Sequence, residues 1–261
     1  MDLNLTGKNA LVCGGSKGIG QASAIELSLL GANVTLLARD ESSLRSSLEK
    51  LDKSKGQQHD LIVADLLDTD QLGKLLGKLT EQKPIHILVN NTGGPPGGPI
   101  ANAENDEFLR AFRQHLIASH TMTRQVIEGM KQEGYGRVIN VLSTSVRQPI
   151  PGLGVSNTIR AAMGNWSKTL SQELAPFGIT VNNVLPGATA TGRLSTLIEK
   201  KAAKKGISVV EEEEVWRSGI PAGRFAEPSE VGAAVAFLAS PAASYINGIN
   251  IPVDGGRTKC Y

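Results

Sequence analysis

Near the start of the chain, Leu11-Val12-Cys13-Gly14-Gly15-Ser16-Lys17-Gly18-Ile19-Gly20 combines the two properties that a phosphate cradle needs. Glycines let the backbone approach a ligand closely, and a helix that starts among them offers unpaired N–H groups and its positive dipole end to an anion. The spacing is GxxxGxG. Gly14, Ser16, Lys17, Gly18, Ile19 and Gly20 are therefore candidate phosphate-binding residues. Dinucleotide sites that take an unphosphorylated ribose place an acidic residue at the end of the second strand. Here that stretch reads Leu37-Ala38-Arg39. Taken singly, Lys17 and Arg39 are ordinary solvated cations; together they set two positive charges where a 2′-phosphate would lie, and arginine grips phosphate bidentately.

The elements that position these residues follow from periodicity. Asn9 to Val12, Asn33 to Ala38, His59 to Val63, Ile85 to Val89, Arg137 to Leu142, Ile179 to Leu185 and Asn250 to Val253 are short apolar runs of buried-strand type. Between them lie helical patterns: Ile19 to Leu30, Asp40 to Lys50, Asp68 to Gln82, Asp106 to Gln132, Ser156 to Leu174 and Pro228 to Ala239. Such alternation predicts an α/β fold with a doubly wound parallel sheet, and ligands bind at the carboxyl ends of its strands. Gly94 to Pro99 is a helix-incompatible loop and forms a wall of that cleft. The polar stretch 192–224 breaks the alternation and is expected to be a lid-like insertion with a solvated charged face, its lysines also candidates for an acidic partner.

Composition excludes several classes. With 40% hydrophobic and 20% charged residues, the 261-residue chain fits one soluble domain, 1–261. A net charge of +2 and only 4% aromatic residues give no basic stripe for nucleic acid. Cys13 and Cys260 are too few for a disulfide framework or a zinc site, so no metal is expected. No apolar run reaches spanning length and no signal-type segment opens the chain; a cytoplasmic protein off the membrane is the expectation.

The ordered motifs resemble those of the short-chain dehydrogenase/reductase (SDR) family over essentially the whole length. They are Gly14-x-x-x-Gly18-x-Gly20, Asp65, Asn90-Asn91-Thr92-Gly93, Pro186-Gly187-x-x-x-Thr191, Arg224-Phe225-x-Glu227-Pro228 and the segment Gly248 to Gly256. The last two are similar to bacterial β-ketoacyl carrier-protein reductases. The resemblance implies a Rossmann-type seven-stranded sheet ordered 3-2-1-4-5-6-7. It also implies NADP(H) as cofactor, an adenine contact at Asp65, further cofactor contacts at Asn91, Gly93, Pro186, Gly187 and Thr191, and a homotetramer or dimer.

The family uses a serine after the fifth strand, a Tyr-x-x-x-Lys on the next helix and an asparagine on the long preceding helix. Ser143 matches the serine; the tyrosine position is Ser156, the lysine position Arg160 and the asparagine position His115. None of Tyr135, Tyr245 and Tyr261 slides into register. Carbonyl reduction needs a proton donor at the developing alkoxide. A phenol that titrates near 10 is brought into range by an adjacent ammonium, whereas a serine is far less acidic and reaches roughly 4 Å less far. Arginine keeps its proton and acts as a fixed fork toward ribose hydroxyls or a substrate anion. Ser143, Ser156, Arg160 and His115 are the catalytic candidates, with His115 as donor or as a helix-packing residue. The expected activity is NADP(H)-dependent oxidation or reduction of a small carbonyl or alcohol substrate, an acyl thioester among the candidates. The alternative is a catalytically silent cofactor-binding protein.

Overall fold

The computed structural model describes residues 1–260. Seven strands, β1 (Asn9–Cys13), β2 (Asn33–Ala38), β3 (Asp60–Val63), β4 (Ile87–Asn91), β5 (Gly136–Val141), β6 (Ile179–Pro186) and β7 (Asn250–Val253), form one sheet. All pairs are parallel, in the order β3-β2-β1-β4-β5-β6-β7.

Side chains alternate across each strand, so each strand feeds two cores. Val12, Val34, Leu36 and Val89 face one side, where α1 (Gly18–Leu29) and α9 (Pro228–Ala239) supply Ala24, Leu27, Val231 and Val235. Leu11, Leu37, Leu88 and Val138 face the other, against Leu72 and Leu76 of α3 (Thr69–Gln82) and Met122 and Val126 of α5 (Ala118–Gln132). Full burial of each of these valine, leucine and methionine side chains stabilises the fold by about 1.5–3 kcal/mol. Helix starts follow local chemistry. Asp40 accepts from the Ser43 N–H to open α2 (Glu41–Leu48), and Arg224 pairs with Glu230 at 2.6 Å beside the Glu227-Pro228 start of α9.

Three features depart from the sequence reading. The fourth strand runs Ile87–Asn91 rather than Ile85 to Val89, because Asn90 and Asn91, although polar, pair with Asn140 and Val141. The expected single helix from Asp106 to Gln132 is two, α4 (Asn105–Phe112) and α5, joined by a π-helical turn over Arg113–Ile117. The charged stretch after β6 is two helices, α7 (Gly192–Lys205) and α8 (Val209–Ser218). Its face is not uniformly solvated: Glu212 is buried, bonded to Lys205 at 2.6 Å and to Trp216 Nε1 at 2.9 Å.

Side-chain amides cross the sheet from β4 to β7. Asn90 donates to Asn140 at 2.8 Å, Asn140 to Asn183 at 3.0 Å and Asn183 to Asn250 at 2.8 Å. Each pair occupies matched positions on adjacent strands. Among the described residues no helix is long and apolar enough to cross a membrane.

Candidate active site

The glycine turn sits between β1 and α1 with Gly14 at φ +64° and Gly18 at φ +55°. A Cβ on Gly20 would lie 2.1 Å from the Gly14 carbonyl oxygen, and one on Gly14 would lie 2.4 Å from that of Asn91. Glycine is therefore required at both positions for lack of space. The turn is held from two sides: the Gly14 N–H donates to Leu37 O at 2.8 Å, and Asn91 lies against the Gly14 carbonyl. No side chain caps α1 at Lys17, which leaves its first-turn N–H groups for a ligand.

A cleft runs over the strand ends. Its outer end is lined by Ser16, Lys17, Arg39, Asp65, Asn91 and Gly93, all among the residues expected to contact the cofactor. Arg110 of α4 joins them, a cation that no sequence signal marked. Cys13 also lies here, its thiol pushed up to about 12 by burial, so it is no nucleophile at neutral pH. Lys17, Ser43, Ser46 and Lys50 border a second polar hollow beside it. Basic side chains, open helix N–H groups and a bare backbone at Gly93, where a Cβ would meet nothing within 4 Å, fit a phosphorylated dinucleotide.

The inner end is lined by Ser143, Ser156, Arg160, Pro186, Gly187 and Thr191. Strand ends and helix α6 (Gly154–Leu174) bring them together. Ser143 closes β5 and accepts from the Ser145 N–H at 3.1 Å; Ser156 and Arg160, one turn apart on α6, are both largely buried. Arg160 donates to Val141 O at 3.1 Å and to Thr92 O at 3.5 Å. Burial first, then the charge of Arg193, pushes Arg160 down to about 10, which still leaves it cationic at neutral pH. Gly187 is fixed by its N–H bond to Val253 O at 2.9 Å, and Thr191 caps α7 by accepting from the Leu194 N–H.

His115 does not line this end. It is buried in the π-helical turn, its Nδ1 hydrogen-bonded to the Thr92 hydroxyl and its Nε2 without a protein partner. Burial, with Arg160 and Arg193 nearby, pushes it down to about 3, so the imidazole is neutral at pH 7. Among the described residues no tyrosine lines the cleft. Tyr135 donates to Ala239 O at 2.6 Å, Tyr245 is exposed, and Tyr261 lies outside the described residues. Arg193, Trp216 and Arg257, which no motif marks, also line the inner end, as does Lys201 of the lysine run considered for an acidic partner.

A family model described as "Enoyl-(Acyl carrier protein) reductase" matches residues 14–258. The chain belongs to the short-chain dehydrogenase/reductase family. Within it, the chain is 32% identical over 254 residues to "NADPH-dependent reductase BacG" of Bacillus subtilis (strain 168), covering 97% of this chain and 98% of that one. It is 34% identical over 254 residues to the 3-oxoacyl-[acyl-carrier-protein] reductase FabG of Haemophilus influenzae, with 97% and 98% covered. L-sorbose reductase from Gluconobacter frateurii, solved with NADPH and L-sorbose, superposes with a TM-score of 0.93 at 28% identity, with both chains fully covered. The strand order is the one the SDR resemblance implied, and the chain is an oxidoreductase of that family by descent.

Proposed function

We propose that this SDR protein is an NADPH-dependent reductase of small carbonyl substrates that works without a tyrosine donor. The observation that carries the reading is a single line of strand ends with Lys17 and Arg39 at one end of the cleft and Ser143, Ser156 and Arg160 at the other. Relatives named as NADPH-dependent or solved with NADPH support the cofactor. Lys17 and Arg39 would hold the 2′-phosphate, the α1 N–H groups the pyrophosphate, Asp65 the adenine, and Gly187 and Thr191 the nicotinamide half.

When bound, NADPH supplies the hydride. Ser143 and Ser156 donate hydrogen bonds to the carbonyl oxygen, and the Arg160 guanidinium, fixed by two backbone carbonyls, stabilises negative charge as it develops there. Arg160 has no proton to give at neutral pH. His115 is neutral and engaged with Thr92, so the proton comes from water relayed through a serine hydroxyl, and His115 orients Thr92. The α7–α8 arm acts as a lid, since Thr191 at its root touches the glycine turn: a Cβ on Gly18 would lie 3.1 Å from the Thr191 methyl. Leu109 and Phe112, exposed on α4, suit contacts between copies in a homo-oligomer.

The test is NADPH oxidation by purified protein against a carbonyl panel that includes acyl thioesters. Turnover of one member, reduced at least tenfold by Ser143→Ala, supports the reading. NADPH binding with no turnover across the panel overturns it in favour of a silent cofactor-binding protein.

A further inference from the structure

The inner end of the cleft holds four cations, Arg160, Arg193, Lys201 and Arg257, and no aspartate or glutamate lines it. Among the described residues none of the four has a carboxylate within ion-pair distance, whereas Arg217, Arg224 and Lys205 nearby all do. Arg193 and Arg160 converge on one glycine: a Cβ on Gly94 would lie 2.6 Å from Arg193 Nη2 and 3.5 Å from Arg160 Nη2. Their acceptors are backbone carbonyls alone, Gly94 and Pro95 for Arg193, Val141 and Thr92 for Arg160. Two like charges side by side, one of them buried, repel each other and are costly to desolvate. An anion placed between them relieves both costs.

The rest of the wall limits what that anion is attached to. Ile150, Leu153, Leu194 and Leu197 line the same space, and Trp216 adds an aromatic face over which Lys201 Nζ sits at 4.4 Å. A lining that combines these cations with aliphatic side chains fits a short apolar chain that ends in a carboxylate, which two guanidiniums bind with charge-assisted hydrogen bonds.

We propose that Arg160 and Arg193 form an anion subsite and that the substrate is an oxo acid, its carboxylate bound there and its carbonyl presented to Ser143 and Ser156. This rests on the reductase reading above and narrows its substrate class. The same two arginines would also suit the cofactor's pyrophosphate, so the test separates the two sources of anion.

Calorimetric titration of the protein, alone and saturated with NADP+, uses 2-oxohexanoate and 4-oxohexanoate against their methyl esters. The expected result is at least one acid bound tenfold or more tightly than its ester. Arg193→Met should abolish that preference, Arg193→Lys should keep part of it, and Lys201→Met should weaken acid binding about threefold. NADPH affinity of Arg193→Met should stay within threefold of the parent. Equal binding of acids and esters, or no binding of either acid, overturns the subsite. A parallel loss of NADPH and acid affinity in Arg193→Met assigns the pair to the cofactor and overturns it equally. An acid preference that persists in a protein unable to bind NADPH keeps the subsite and discards the reductase reading.

Discussion

His115 is tied to Thr92 through Nδ1, and the carbonyl of the same threonine accepts from Arg160, so the π-helical turn and helix α6 meet on one residue at the end of β4. The imidazole is neutral in the folded protein and titrates near 6.5 when unfolded. Between about 6.5 and about 3 the unfolded chain therefore binds the extra proton. His115 contributes stability above pH 6.5, and that contribution is lost as pH falls through this window. His115→Asn should flatten the profile: between pH 7 and pH 5 it should lose about 2 kcal/mol less than the parent, from the linkage relation. Urea unfolding at the two pH values measures this, and parallel losses in both proteins would contradict a buried neutral histidine.

Arg160→Met removes a buried charge from the inner end of the cleft, which Ser143 and Ser156 also line. We expect kcat/KM to fall by about 10²–10³, the usual loss on removing one preorganised donor. NADPH affinity should change far less. Steady-state rates with cofactor titration by fluorescence separate the two; an unchanged kcat would exclude an electrostatic role.

Much of the architecture was legible from apolar runs and turn residues. Strand ends fell within a residue or two because parallel strands buried on both faces leave an unbroken apolar signature. Two features were hidden for physical reasons. The π-helical turn inserts a residue between Phe112 and Met122 without disturbing the local spacing of Phe108, Phe112 and Leu116, so periodicity passes over it. Arg160 and Arg193 lie on different helices and meet only across Gly94, so no local motif records their convergence. Glu212 reads as solvated within its run of four glutamates, yet its side chain is buried and hydrogen-bonded to Lys205 and Trp216.

Arg39→Glu should move cofactor preference from NADPH toward NADH by about tenfold or more, since it replaces a charged hydrogen-bond donor to a phosphate with a repelling carboxylate. The ratio of kcat/KM for the two cofactors gives the answer, or the ratio of Kd values if turnover is slow. An unchanged ratio would remove the 2′-phosphate assignment.

Gly20→Ala should destabilise the protein by more than about 1 kcal/mol, as overpacking at a site with no room to relax does. Its methyl would meet the backbone carbonyl of Gly14 in the phosphate turn and the side-chain amide of Asn91 at the end of β4. NADPH affinity should fall with it. Urea melts and cofactor titration test both; wild-type values in each would mean that the turn yields freely.

The asparagine row has a dynamic consequence. Each amide from Asn90 to Asn250 serves as the polar partner of the next, so freeing one strand would leave its neighbours with unmatched buried groups. The strand ends beneath the cleft should therefore open together, as one cooperative unit in hydrogen exchange, rather than fray from the short edge strand β7 inward. A floor that exchanges as a block leaves the entry and exit of ligands to the loops and the α7–α8 arm above it.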